Sequence, residues 1–304
     1  MHEGSQKAVL AALAANLGIA AVKFVGFFFT GATSMLAEAV HSVADCGNQA
    51  LLLVGGRRAS RAPSDQHPFG YAMERYFWSF VVALVIFLLG GVFAIYEGVD
   101  KLWHPQPIES PLLAVGILLV GAALEGWSFR TALAEARKLR GRQSMLQFVR
   151  QTKAAELPVV LLEDLGALAG LSFALLGVGL SVVTHEPRFD ALGSVAIGVL
   201  LVGIGFLLAT EMRSLLVGES ASDERIAEIR AALLADPKLK RVIHLRTLHL
   251  GPDDLLVAAK IELDDTLSFR EVAQEIDAAE ARVRAVVPIA RLMFLEPDVF
   301  RPAA

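Results

Sequence analysis

Long apolar runs alternate with short polar connections through the first two thirds of the chain. A helix needs about 20 apolar residues to cross the hydrocarbon core of a bilayer, and six stretches meet or approach that length. They lie at about residues 8–30, 34–56, 77–102, 111–135, 157–183 and 189–210. The pattern therefore predicts a membrane α-helical bundle of six transmembrane helices.

Basic residues are concentrated in two of the connections between these runs. They are Arg57, Arg58, Arg61 and Arg75 after the second run, and Arg137, Lys138, Arg140, Arg142, Arg150 and Lys153 after the fourth. Lys and Arg accumulate on the cytoplasmic side of membranes, so both loops, and with an even number of spans both termini, are predicted to be cytoplasmic. The N-terminal residues lack a short basic segment followed by a cleavage site. We therefore expect no targeting peptide and a bacterial plasma membrane, with an organellar membrane as the alternative.

The pattern changes to that of a small soluble domain in the last third of the chain. An amphipathic helix at 223–235 is followed by strands at 242–250 and 255–263, a helix at 269–286 and a last strand. Ser268 and Glu271 have the spacing of a capping box at the start of the second helix. The order αββαβ predicts a ferredoxin-like cytoplasmic domain at 218–304, which follows a transmembrane domain at 1–217.

Composition agrees with an integral membrane protein. Hydrophobic residues make up 55% of the 304 residues and charged residues only 20%, and the mean hydropathy is +0.53. The net charge of −4 gives no support to a nucleic-acid partner. A single cysteine, Cys46, excludes an intramolecular disulfide framework and a cysteine-based zinc cluster.

Ionisable residues interrupt two of the apolar runs. In the second run, polar side chains recur at steps of three and four, at Glu38, His41, Asp45 and Asn48, which places them on one stripe of a helix. Ionisable groups at bilayer depth are costly and mark functional sites. An imidazole and a carboxylate one helical turn apart offer a nitrogen and an oxygen ligand, which suits a divalent metal such as zinc.

The fifth run contributes two adjacent carboxylates, Glu163 and Asp164. Neighbouring residues on a helix diverge by about 100°, so only one of them can point squarely at a common centre. We predict a metal site of His41, Asp45 and Asp164, with Glu163 as an auxiliary ligand or proton carrier. Two carboxylates and a neutral imidazole cancel the charge of one divalent cation.

A turn motif, Asp65 to Tyr71, precedes the third run. Its Pro68 and Gly70 indicate a fixed turn. Asp65 and His67 either bind a second ion or are solvated residues of this turn, and the sequence leaves both interpretations open.

The sequence resembles the cation diffusion facilitator family over nearly its whole length. The similarity lies in the segments 16–23, 31–45 and 67–71, and the stretch 159–164 is similar to the branch related to zinc transporter 9. The resemblance implies metal/proton exchange by a homodimer, with the transport site between the second and fifth spans. It implies no prosthetic group.

The chain departs from that pattern at two places. Many zinc-transporting members have a histidine four residues before the aspartate of the fifth span, whereas this chain has Val160. The predicted site is richer in oxygen, so manganese, iron or cobalt are alternatives to zinc. In the soluble domain, the positions where the resemblance would place regulatory metal ligands are occupied by Ile243, Lys260 and Phe294. We therefore predict no metal site in that domain.

We expect alternating access, in which protons compete with the metal for the same side chains. An imidazole has an ordinary pKa near 6.5, and protonation removes its ability to ligate. Three other classes of function are alternatives. An intramembrane enzyme is disfavoured because the chain has no His-Glu-x-x-His motif. A passive channel would need a continuous wet pore, and a metal sensor would need ligands in the soluble domain.

Overall fold

The computed structural model describes residues 3–30, 33–105, 111–141 and 144–301, without the side chains of residues 3, 26, 27, 29, 30, 33–41, 44 and 111. Six long helices coincide with the predicted spans in these ranges. They are α1 (Glu3–Thr30), α2 (Thr33–Ala59), α3 (Glu74–Trp103), α4 (Pro111–Arg140), α6 (Glu156–Thr184) and α7 (Arg188–Val217). Helix α3 contains a π-helical segment, Ile86–Val92.

Five of these helices are long and apolar enough to cross a membrane, as judged on the described residues. Helix α2 is not among the five, although it has 27 residues. The side chains of residues 33–41 and 44 in this helix lie outside those that the structure describes. The count of six spans is therefore approximate.

A short helix, α5 (Met145–Gln151), lies in the basic connection after α4, where the sequence predicts a loop. Ser144 and Gln147 form a capping box: the Ser144 Oγ accepts from the Gln147 backbone N–H at 3.2 Å, and the Gln147 Oε1 accepts from the Ser144 N–H at 3.0 Å. The Ser-x-x-Gln spacing was a readable signal for this helix.

Helix α1 packs against α2 and α4, α4 packs against α6, and α2 packs against α3. Helices α3 and α7 approach each other at glycines. A Cβ added at Gly198 would lie 2.6 Å from the backbone nitrogen of Ile95, and one at Gly205 would lie 2.9 Å from that of Phe87. Small residues permit such close backbone contact between membrane helices.

A buried ion pair joins the first turns of α3 and α6. The Arg75 Nε donates to the Glu156 Oε1 at 2.5 Å and the Nη2 to the Oε2 at 2.9 Å. Both side chains are at most 4% exposed. Arg75, expected as one of the residues of a basic loop, is thus an interhelical contact, since a buried guanidinium requires a carboxylate partner.

The C-terminal part has the predicted order αββαβ. Its elements are α8 (Asp223–Leu233), β1 (Leu239–Gly251), β2 (Asp254–Leu263), α9 (Phe269–Val286) and β3 (Leu292–Pro297). Strand β2 lies between β1, to which it is antiparallel, and β3, to which it is parallel. Ser268 and Glu271 form the predicted capping box. The core between sheet and helices includes Ile229, Val257 and Val283, all fully buried.

The chain divides into two compact units, residues 1–62 with 74–213 and residues 63–73 with 214–304. The expected domains at 1–217 and 218–304 stay a prediction. The turn motif that contains Asp65 and His67 belongs to the second unit. Within that unit the motif packs against the end of β1: a Cβ added at Gly251 would lie 2.6 Å from the Cβ of Ala72.

Candidate functional site

Polar side chains of α2 are turned into the helical bundle. Asp45 is half-buried, while Asn48 is 3% exposed and Gln49 is fully buried. Because both amides are buried, this side of α2 faces protein and not lipid. The side chains of Glu38 and His41 lie outside those that the structure describes.

Glu163 connects α6 to α2. Its Oε1 accepts from the Asn48 Nδ2 at 3.1 Å and its Oε2 from the Gln49 Nε2 at 2.8 Å. Gln49 in turn accepts at its Oε1 from the Asn16 Nδ2 of α1, at 3.2 Å. Asn16 therefore bridges helices, and three spans are tied together through one carboxylate.

Asp164 points towards a different helix. It is 1% exposed, and its Oδ2 accepts from the Ser128 Oγ of α4 at 2.7 Å. The expectation favoured Asp164 as the carboxylate that meets α2 and gave Glu163 an auxiliary part. In the structure Glu163 makes the hydrogen bonds to α2, because the rotation of α6 turns the Glu163 side of the helix towards that span.

Two charged residues of this region were missed by the sequence analysis. Glu125 of α4 is 7% exposed. The Lys23 Nζ of α1 donates to the Ser42 Oγ of α2 at 2.9 Å. Each lies within an apolar run, which is the same signal that identified Asp45 and Asp164.

The carboxylates of these helices interact electrostatically. The charge of Asp45 acts on Glu163 and on Glu125, and the charge of Asp164 acts on the same two residues. The positive charge of Lys23 also acts on Glu125. Side chains from α1, α2, α4 and α6 thus form one electrostatically connected region inside the first unit.

Among the side chains that the structure describes, no three His, Cys, Asp or Glu residues are close enough together to hold a metal ion. The His41 side chain is not part of that set. The ligand set His41, Asp45 and Asp164 stays a prediction.

The turn motif is exposed. Asp65 and His67 lie on the surface, and the His67 ring packs on the Tyr71 ring with centroids 4.6 Å apart. The Ser64 and His67 backbones exchange hydrogen bonds of 3.0 and 3.2 Å. These contacts agree with the solvated-turn interpretation, and no described residues complete a metal site here.

In the second unit, Lys260 occupies a position where the family resemblance would place a regulatory ligand. Its Nζ forms ion pairs with Glu296 at 3.0 Å and Asp298 at 2.9 Å. These contacts raise the pKa of Lys260, through Asp298 first and then Glu296. The ammonium occupies the space where a cation would otherwise meet those two carboxylates.

Two family models match the chain. The cation efflux transmembrane domain matches residues 9–217, and the cation efflux protein cytoplasmic domain matches residues 221–294. Together they confirm a membrane-embedded helical domain followed by a cytoplasmic domain with a small sheet.

Curated relatives support the same assignment. The chain is 32% identical over 288 residues to the proton-coupled zinc antiporter SLC30A9, mitochondrial, of Xenopus laevis, covering 93% of this chain and 52% of the relative. The human protein of that name is 32% identical over 278 residues, covering 90% and 49%. Zinc transporter ZitB of Pectobacterium atrosepticum is 23% identical over 258 residues, covering 84% and 75%.

The chain spans about half the length of the SLC30A9 relatives that it matches. The expected similarity to the zinc transporter 9 branch is confirmed. The expected bacterial plasma membrane is not confirmed, since two of these relatives are named as mitochondrial.

Proposed function

The chain belongs to the cation efflux family, and on that premise we propose that it exports a divalent metal cation, zinc, in exchange for protons. The names of its relatives, a proton-coupled zinc antiporter and a zinc transporter, support this cargo. We propose that it works as a homodimer, with dimer contacts in the cytoplasmic domain that the second family model describes.

One observation carries the proposal. Acidic side chains of α2, α4 and α6 are turned into the bundle and interact electrostatically, although each belongs to a largely apolar helix. Burying several carboxylates together costs free energy unless a cation or protons compensate their charge. A site that alternates between a metal ion and protons satisfies this requirement in both states.

The proposed ligands are His41, Asp45 and Asp164. His41 precedes Asp45 by four residues in the sequence, the spacing of one helical turn. Asp164 approaches from α6 and is oriented by the Ser128 hydroxyl. Glu163 holds α2 against α6 through its two amide contacts. We propose that these contacts rearrange when the helices move, so that Glu163 serves as an auxiliary ligand or proton carrier.

A harder cation is the second candidate cargo. Val160, where many zinc-transporting members have an imidazole, is fully buried among apolar residues, so α6 offers oxygen ligands only. Oxygen-rich sites accept manganese, iron or cobalt more readily than sites with two imidazoles. Zinc flux under an imposed pH gradient, measured in the presence of each competing metal, ranks these metals by how strongly they reduce zinc transport.

Proton coupling follows from the ligand chemistry. His41 and the carboxylates must lose their protons to bind metal. Protons that enter from the opposite side of the membrane therefore displace the ion, and the bundle returns in its protonated form. The bacterial plasma membrane stays a prediction, to be tested by locating the protein in its own cells.

The experiment is zinc flux into proteoliposomes under an imposed pH gradient, with Asp45→Asn and His41→Ala. We expect both variants to reduce flux to the level of empty liposomes, because each removes a ligand. Asp100→Asn is the matched control, since Asp100 is exposed near the end of α3 and contacts only His104 among described partners. Undiminished flux in both variants would refute the proposed site, and flux independent of the pH gradient would refute antiport.

A further inference from the structure

The buried ion pair of Arg75 and Glu156 lies at the cytoplasmic ends of α3 and α6. The cytoplasmic domain follows α7, and α3, α4, α6 and α7 are each long and apolar enough to span a membrane. Spans that alternate in direction therefore place the first turns of α3 and α6 on the cytoplasmic side. The two side chains are 4% and 1% exposed there and are joined by hydrogen bonds of 2.5 and 2.9 Å. Charged residues at a water-facing helix end are normally solvated, so this end of the bundle is tightly closed.

The helices around the ion pair are packed closely, whereas the other half of α6 is not. Residues 154–161 are all buried, although they extend over two turns and so face every direction around the helix. Side chains of α1, α2 and α3 join them in one apolar cluster, among them Ala8, Leu52 and Val82, all at most 1% exposed. In residues 171–184, by contrast, most side chains are half-buried or exposed. The route from the cytoplasm along α6 is therefore closed in this structure.

Glu156 lies on the side of α6 that carries Asp164. Glu156, Val160 and Asp164 recur at steps of four, so they occupy successive turns of one helix face. Glu156 and Asp164 are separated by about 12 Å along the helix axis, and Val160 between them is fully buried in the apolar cluster. The ion pair and the cluster thus lie between the proposed transport site and the cytoplasm.

We propose that Arg75 and Glu156 form the latch of a cytoplasmic gate. The pair holds α3 against α6 while the transport site is closed to the cytoplasm, and it separates when a metal ion enters. This inference rests on the proposed function. A buried ion pair is close to break-even in free energy, because the desolvation of its two charges offsets their attraction. Water that enters between the helices solvates both groups, so such a pair suits a contact that must both close and open.

Ser79 agrees with a second, hydrated state of this region. It lies one turn beyond Arg75 on α3 and is fully buried, and its hydroxyl has no hydrogen-bond partner among the residues that the structure describes. A buried hydroxyl without a partner costs free energy. Water in the open gate supplies that partner.

The test measures how fast a cysteine inside the closed region reacts from each side of the membrane. Val160→Cys is combined with Cys46→Ser, which removes the only native cysteine, and this reference protein is treated with a membrane-impermeant maleimide in vesicles of both orientations. We expect Glu156→Gln in this background to raise the rate of labelling from the cytoplasmic side about tenfold or more, because removing one partner of a buried pair destabilises the state that contains it. Labelling from the opposite side should not rise.

Two further variants separate a latch from a purely structural contact. Arg75→Lys keeps the charge and loses the bidentate geometry, so it should give an intermediate labelling rate. Arg75→Glu combined with Glu156→Arg should return the rate towards that of the reference protein. Glu97→Gln is the matched control, since Glu97 pairs with Lys101 at 3.0 Å within α3, and it should leave the rate unchanged.

Zinc flux through the wild type keeps the inference and the proposed function apart. If labelling from the cytoplasmic side is unchanged in Glu156→Gln, or rises equally from both sides, the inference is wrong, while zinc flux through the wild type leaves the proposed function standing. Failure of all these ion-pair variants to fold would also overturn the inference, because a latch must separate in the working protein. If the wild type carries no zinc, the proposed function fails and the inference fails with it.

Discussion

At the scale of single residues, the adjacent carboxylates Glu163 and Asp164 contact different helices. Glu163 accepts two amide hydrogen bonds from α2, whereas Asp164 accepts from Ser128 of α4. Helical geometry predicts that the two diverge, and it does not choose which one faces which neighbour. That choice depends on how α6 is rotated in the bundle, which is set by contacts along its whole length.

The pKa of Asp264 gives a prediction at this scale. The Thr266 hydroxyl and backbone N–H, at 2.6 and 2.9 Å, with a further contribution from Lys240, lower it from 3.8 to about 2. We expect Thr266→Val, which removes the hydroxyl and keeps the N–H, to raise the Asp264 pKa towards 3.8. Carboxyl ¹³C NMR of aspartate-labelled protein measures the shift.

The sign of the linked stability change follows from the lowered pKa. The Asp264 carboxylate stabilises the folded state above about pH 4, and this contribution is lost as the pH falls towards 2. Thr266→Val should therefore reduce the acid-induced loss of stability. Asp265 is the internal control, because the Lys240 ammonium at 2.9 Å lowers its pKa without the Thr266 hydroxyl. An unchanged Asp264 titration would contradict the assignment.

At the scale of elements, the apolar runs determine where the long helices lie, and glycines determine how closely two of them approach. Helix α7 carries Gly198 against the backbone of Ile95, whereas a Cβ at Gly203 would meet no atom within 4 Å. The two positions are five residues apart on one helix. Their sequence context alone does not distinguish them, since both are small residues in an apolar run.

Gly198→Ala and Gly203→Ala test this contrast. The methyl group at 198 has no space, so we expect a loss of about 1–3 kcal/mol from overpacking and a lower apparent unfolding temperature in detergent. At 203 we expect a change within about 1 kcal/mol, in the stabilising direction, because alanine favours helix more than glycine. Equal effects of the two variants would show that α3 and α7 do not pack through Gly198.

At the scale of the whole molecule, the transmembrane domain holds the proposed transport site and the cytoplasmic domain holds none that its described residues can form. The Lys260 ammonium forms ion pairs with both Glu296 and Asp298. Regulation through metal bound at those positions is therefore not expected in this chain.

The number of zinc ions bound per chain tests whether the transmembrane domain alone binds the metal. Equilibrium titration of the intact protein should give one zinc ion per chain for wild type, because the only proposed site lies in the bundle. Asp45→Asn should remove that binding altogether, and Asp65→Asn in the exposed turn should retain it. Zinc that remains bound to Asp45→Asn, and is lost on further replacement of His67, would indicate a second site in the turn motif.

Much of this architecture was predictable from sequence. The long apolar runs and the strand pair around Gly251 match the observed helices and strands, because each element is dictated by local periodicity. Helix α5 had a readable Ser-x-x-Gln signal, and Glu125 interrupts an apolar run as plainly as Asp164 does. Neither feature was predicted, although both signals are local and can be read from the sequence.

The sequence by itself determined the membrane spans, the separate α+β domain and the identity of the carboxylates at bilayer depth, since these depend on composition and short-range periodicity. Only the tertiary structure decided that Glu163 meets α2, that Asp164 meets Ser128 of α4, and that Arg75 pairs with Glu156. Those contacts join residues far apart in the chain. They depend on helix rotation and depth, which are set by packing over the whole bundle and not by any one segment.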